Sequence, residues 1–344
     1  MSDVDRFDIS TLVEPVSAAA VRESLSVLHT GLPVIIDAAD AASVALPSTL
    51  GSSPGSVLRD VAAPVLAVGD PFVAPPWLLD VADVCVTTRP DPPMPWVSSD
   101  PTSCVDAVEA QPLAALALVR LLRATPALEV PVAISAEAAT YAALLGSAVF
   151  ATWLAATDTE HRTAGEEPVL ISRSGDVVLV ELNRPHVHNA VDTALRDSLV
   201  EALALAESEP ALRVELSGRG ASFCAGGDLS EFGQVDDPAT SIAVRATRHP
   251  GASAHRIAPR LTVRIHGACI GAGIELAAFA GHVVADPGTT MRLPELSMGL
   301  VPGAGGTVSL PRRIGRHRTA WLALSGEPVD ARTALHWGLV DALG

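Results

Sequence analysis

Residues 266–276 read HGACIGAGIEL. Gly and Ala crowd the start of a predicted helix over 271–281, and Glu275 is the first charge on it. Small residues there let a ligand approach the backbone, whose free N–H groups favour negative charge. The preceding LTVRIHG (261–267) reads as a buried strand and the following HVVAD as another. Strand, glycine turn, helix and strand make a βαβ-type unit of an α/β fold.

Two further segments extend this reading. Upstream, FCAGGDL (223–229) is a glycine-rich turn, expected to run into a helix. Downstream, LPELSMGLVPGAGGT (293–307) sets Glu295 ahead of a Gly/Pro-rich loop, and TTMRLPE is a further candidate strand. Two N–H groups converging on a carbonyl oxygen form an oxyanion hole, in which one donor contributes about 3 kcal/mol. Two carboxylates in such a pocket can divide acid and base work once burial and mutual repulsion raise a pKa. Each segment alone has a plainer explanation, since a helix dipole favours Glu in its first turn. Cys224 reads as a packing thiol, because no histidine is placed beside it.

Around these segments the alternation continues. ISRSGDVVLVELNRP predicts two strands about a turn, VDTALRDSLVEALALAESEP a helix, and ALRVELSG a strand. In the N-terminal half GLPVIIDA, APVLAVGD, DVCVTTRP and VPVAIS read as short buried strands. LAALALVRLLRA and AEAATYAALLGSAVFATWLA (136–155) read as helices, and FVAPPW and RPDPPMPW as loops. The polar DTEHRTAGEEP (158–168) is the expected linker between an α/β region, 1–157, and a core domain, 169–344. A weak internal echo lays PVLAVGDPFVAPPWLLDVADVCV over TVRIHGACIGAGIELAAFAGHVVA, with Trp77 where Glu275 stands.

Composition narrows the function. The 344 residues are 49% hydrophobic but only 3% aromatic, so the core is aliphatic, and the length suggests two domains. All 23 basic residues are Arg, and the net charge of −16 argues against nucleic acid and anionic membranes as partners. The four cysteines lack metal-ligand spacing, and the acidic MSDVDRFD start is unlike a secretory leader, so a cytoplasmic location is expected. His186 and His188 read as turn residues, His266 as a structural histidine, and no metal is assigned.

The blocks LNRPHVHNAV, SFCAGGDL, IHGACIGAGIELA, LPELSMGLVPGAGGT and LSGEPVDARTALHWGLVD, in this order, resemble the enoyl-CoA hydratase/isomerase (crotonase) superfamily over about residues 168–343. The resemblance implies a ββα spiral core and an acyl-CoA substrate, with no cofactor beyond the CoA of that substrate. It assigns the oxyanion N–H groups to Gly227 and Ala272, and acid/base work to Glu275 and Glu295. Glu295 is expected at the α-carbon and Glu275 at the water. Substrate contacts are implied for Gly226, Asp228, Leu229 and Ser230, and for Arg184, Ala190, Gly271 and Pro294.

Ala272 replaces the family's usual Gly, and Ser230 the Lys often found near CoA, where Arg184 is expected to compensate at the CoA phosphates. The resemblance further implies helices beyond HWGLVD, where this chain ends at Gly344, and a homo-oligomer, a trimer or hexamer. Residues 136–155 resemble that helical tail and are expected either to cover the same apolar surface or to form a separate subdomain. Both glutamates favour hydration of a 2-enoyl thioester. The alternatives are Δ3,Δ2-enoyl isomerisation, thioester hydrolysis and a non-catalytic acyl-CoA-binding partner subunit.

Overall fold

The computed structural model describes residues 18–43, 58–157, 167–234 and 237–344. The expected linker, 158–168, lies outside the described residues except for its last two positions. The chain forms two compact units: one holds the described residues up to Arg123 with Gly315–Ser325, the other Ala124–Ile314 with Gly326–Gly344. The division therefore falls some thirty residues before the expected linker.

In the first unit, helices α1 (Ala18–Ser24) and α2 (Val27–Thr30) precede a parallel sheet. Its order is β1 (Val34–Asp37), β2 (Val65–Val68), β3 (Val84–Thr87), β4 (Val97–Ser98). Strands β2 and β3 are buried at every position, as parallel strands covered on both faces are. Helix α3 (Ala38–Ser43) follows β1, α4 (Pro76–Val81) joins β2 to β3, and α5 (Thr102–Ala110) and α6 (Pro112–Ala124) follow. Asp83 is buried at the entry to β3, where it accepts Val65 N–H (2.8 Å) and both Nε (2.8 Å) and Nη2 (2.6 Å) of Arg123.

The second unit opens with α7 (Val130–Leu145) and α8 (Ala148–Ala156). The strand expected at VPVAIS is instead the first turns of α7. Pro131 suits the start of a helix, and the buried set Val130, Ala133, Ile134, Glu137, Ala138, Tyr141 recurs at helical spacing. No single helix among the described residues is long and apolar enough to cross a membrane.

The core that follows holds a six-stranded sheet of order β13-β10-β8-β7-β6-β5. Here β5 (Val169–Ser174) pairs antiparallel with β6 (Val177–Leu182); β7 (Arg213–Gly218), β8 (Leu261–Ile265), β10 (His282–Ala285) and β13 (Ala342–Leu343) continue in parallel. A smaller sheet contains β9 (Ala268–Ile270), β11 (Thr290–Arg292) and β12 (Val329–Asp330). The chain alternates between the sheets, β8 to β9 and then β10 to β11, with a helical turn after each pair. This is the ββα spiral of the crotonase fold.

Helices α9 (Thr193–Ser208), α10 (Pro238–Thr247), α11 (Pro250–Arg256), α12 (Ala272–Ala277), α13 (Gly306–Ser325) and α14 (Ala331–Trp337) complete it. Helix α13 breaks at Gly315, φ 76°, which is also where the two units part. The helix expected after FCAGGDL is only a 3-10 turn, Leu229–Glu231.

Candidate active site

The smaller sheet brings the three chemical segments together. The backbone at Cys224 pairs in parallel with that at Cys269, both side chains being free thiols, and β9 pairs in parallel with β11, Ile270 opposite Arg292. The residues that leave each of these strands at its C-terminal end therefore emerge side by side: Gly226 and Gly227, Gly271 and Ala272, Pro294 and Glu295. Gly271 donates its N–H to Arg292 O (2.9 Å). Gly271 has φ +50°, and a Cβ there would stand 2.5 Å from Glu295 Oε1 and 3.7 Å from Gly226 Cα. Glycine is thus required where all three segments meet.

The N–H groups of Gly227 and Ala272 meet no backbone acceptor among the described residues. Both residues are partly exposed, and Ala272 opens α12. Two adjacent, reachable N–H donors can bind an oxygen on which negative charge develops.

Glu275 lies on α12 and is 1% exposed. Its Oε2 accepts N–H groups from Ala304 (2.7 Å) and Gly306 (2.8 Å). Burial pushes its pKa well above the usual carboxylate range, and the charges of Glu295 and Glu137 push it further. Glu295 is partly exposed as a residue, but its Oε2 is buried without a partner. Burial raises its pKa too, with the charge of Glu137 adding to the effect. The Ala304 and Gly306 bonds oppose the rise at Glu275 without cancelling it, whereas Glu295 Oε2 has no donor beside it. One site thus holds two carboxylates in unlike settings.

The third carboxylate, Glu137, was not anticipated as a site residue. It projects from α7, 1% exposed, and accepts Gly305 N–H (2.7 Å), Thr307 N–H (2.8 Å) and the Thr307 hydroxyl (2.6 Å). Burial raises its pKa, against the pull of the Thr307 and Gly305 bonds. Glu275 and Glu137 together satisfy the backbone N–H groups from Ala304 to Thr307, where α13 begins. The sequence held one signal: Glu137 is the only charge in the apolar run 130–156, and an isolated charge on a buried helix face needs a partner.

Helix α7 packs on α10 and α11, while α8 meets the turn carrying Glu295. Tyr141 is buried with ring atoms 2.4 Å from where a Gly303 Cβ would stand, and Phe150 packs near Phe232 (centroids 6.3 Å apart). Residues 136–155 thus lie against the site's own loops.

The remaining residues frame the site. Asp228 Oδ1 accepts Ser230 N–H (3.1 Å) and the Ser230 hydroxyl (2.8 Å), fixing the turn that contains Leu229. Arg184 corrects an expectation. It is 6% exposed, and its Nη2 is paired with Asp192 (2.9 Å) and Asp228 (3.1 Å) while Nη1 donates to Ala190 O. A cation so buried and matched by two carboxylates is engaged in holding the loops together. Burial pushes the Cys224 thiol up to about 12, which suits a packing residue. His266 Nε2 is hydrogen-bonded with Gly220 O (3.0 Å). No cluster of metal-ligating residues occurs among the described residues.

Residues 172–343 match the family model described as enoyl-CoA hydratase/isomerase. The chain is 36% identical over 174 residues to the 2,3-dehydroadipyl-CoA hydratase of Escherichia coli strain K12, covering 50% of this chain and 68% of that one. It is 34% identical over 174 residues to the mevalonyl-coenzyme A hydratase SIDH of Beauveria bassiana, covering 48% and 62%. The chain thus spans about two thirds of the length of these relatives. Among solved structures, an enoyl-CoA hydratase from Bacillus anthracis is 30% identical, covers 52% of this chain and 70% of its own, and superposes with a TM-score of 0.48. By its matching core this chain belongs to the enoyl-CoA hydratase/isomerase family.

Proposed function

We propose that the site adds water across the double bond of a 2-enoyl-CoA thioester. The observation that carries this reading is the pair Glu275 and Glu295 beside two acceptor-free N–H groups. The thioester oxygen accepts from Gly227 and Ala272. Glu275, one oxygen held by Ala304 and Gly306, uses the other to take a proton from water as the new C–O bond forms at the β-carbon. Charge collects on the thioester oxygen as an enolate. Glu295, in its protonated form, delivers a proton to the α-carbon, and exchange with solvent resets both acids. The names of the two curated relatives, both hydratases of CoA thioesters, support this class of reaction. The reading calls for no cofactor beyond the CoA of the substrate, and trimer or hexamer assembly is part of it, to be read by sedimentation.

The test is loss of the unsaturated-thioester absorbance of crotonyl-CoA and of a longer 2-enoyl-CoA. The wild type should turn them over, and Glu275→Gln or Glu295→Gln should each slow that turnover by at least about a hundredfold. Binding without turnover would sink the reading in favour of a non-catalytic subunit, and release of free CoA would indicate hydrolysis. A second reading, Δ3,Δ2 isomerisation, is favoured by the partnerless Oε2 of Glu295, which could shuttle a proton unaided. Turnover of 3-enoyl but not 2-enoyl thioesters would select it.

A further inference from the structure

Two donors near the carboxylates have no acceptor. Arg245, on α10, lies with its guanidinium 4.3 Å from the centre of the Tyr141 ring and donates from Nη1 to the Ser241 hydroxyl (2.9 Å). Its Nε is buried without a partner. Neighbouring arginines are paired, Arg248 with Glu201 and Arg256 with Glu207, but among the described residues Arg245 has no such counter-ion. Glu137, an acid close enough to feel its charge, has both oxygens occupied by Gly305 and Thr307.

Four residues on, His249 is buried, and its Nδ1 accepts Ala252 N–H (3.2 Å). The ring hydrogen is therefore on Nε2, which is also buried without a partner. The two groups are close enough for the charge of Arg245 to disfavour protonation of His249, after the larger effect of burial. Both belong to the same site. The His249 ring edge is 3.2 Å from where a Gly305 Cβ would stand, and Tyr141, beneath Arg245, feels the charges of Glu295 and Glu275.

A buried donor without an acceptor is costly, and a half-buried guanidinium without a counter-ion is the more demanding of the two. We propose that Arg245 and His249 read an anionic group on the acyl chain, so that the site selects 2-enoyl thioesters whose far end carries a carboxylate. This deepens the hydratase reading and rests on it for the reaction, though not for the binding preference. The Nε–H of Arg245 and the Nε2–H of His249 each donate to a carboxylate oxygen. A guanidinium is suited to this task because it stays charged and offers several donors in one plane.

The experiment compares 2-enoyl-CoA thioesters of matched length, one ending in a carboxylate and one in a methyl group. In the wild type, kcat/KM for the carboxylated thioester should exceed that for its partner by on the order of tenfold to a hundredfold. Equal values, or preference for the methyl end, would overturn the proposal. Arg245→Gln should bring the ratio close to one, chiefly through KM, and Arg245→Lys should keep part of it. A parallel fall for both substrates with the ratio intact would mean a structural role and would also overturn it. Calorimetric binding of the saturated pair separates the two readings: carboxylate preference without hydration sinks the hydratase reading alone, and hydration without preference sinks this one alone.

Discussion

The two units treat buried carboxylates in opposite ways. In the first, Asp83 is matched by Arg123 in a two-pronged pair, with Arg316 Nη1 3.7 Å away. In the second, Glu137, Glu275 and Glu295 gather with backbone N–H groups as their principal partners, and one of their oxygens has none. A matched charge stabilises a fold and does little else; an under-matched cluster keeps protons that can move. The same contrast runs through the strand–helix–strand echo. After β2 the helix opens on Pro76, which has no N–H to offer, and carries Trp77. After β9 it opens on Ala272, whose N–H is free, and carries Glu275. Shared topology therefore leaves the chemistry undetermined.

The contrast is tested most severely at the acids. Glu275→Gln and Glu295→Gln should each lower kcat for 2-enoyl-CoA hydration by about 10²–10⁴-fold, read by the absorbance assay, with near-native circular dichroism. Ala272→Pro fits the first turn of a helix yet deletes the N–H, so kcat should fall by about 10²–10³-fold with little change in stability. A rate within a few-fold of wild type would remove Ala272 from the oxyanion pair.

Stability should respond at Glu137. Glu137→Ala strands two backbone N–H groups and a hydroxyl, at a cost of about 3 kcal/mol or more, which calorimetry should show as a Tm drop on the order of 10 °C. Glu137→Gln keeps an acceptor and should lose less. The pH dependence follows from the raised pKa values. Groups whose pKa is higher folded than unfolded contribute stability below the unfolded value and lose it as pH rises through the folded one. Tm should therefore decline from mildly acidic to alkaline pH, and Glu275→Gln should flatten that decline. The smallest effect belongs to the echo: Trp77→Phe should leave hydration unchanged and shift stability by under about 1 kcal/mol.

Much of the catalytic core was legible because strand and glycine-turn patterns are local. HGACIGAGIEL specifies its strand end, turn and helix by small residues alone, and the strands around LTVRIHG and ALRVELSG follow from continuous apolar runs. What local pattern cannot carry is partnership over distance. Arg184 looks like a free cation in sequence, and only the fold supplies Asp192 and Asp228. VPVAIS looks like a strand because Val and Ile favour strands, yet packing against α10 and α11 makes it a helix, tertiary context overriding propensity. Glu137 is invisible as a site residue until Gly305 and Thr307 are placed beside it.

The bond from Gly305 to Glu137 closes a stretch of 168 residues, and that from Thr307 closes 170. Contacts so remote in sequence are slow to form, because a long segment of chain must be confined before any bond rewards it. During synthesis α7 emerges well before the loop it will hold, so its apolar face must wait for the later strands. Refolding of this chain should accordingly show an early phase in which the sheets form and a late one in which Glu137 meets Gly305. Activity should return only with the late phase.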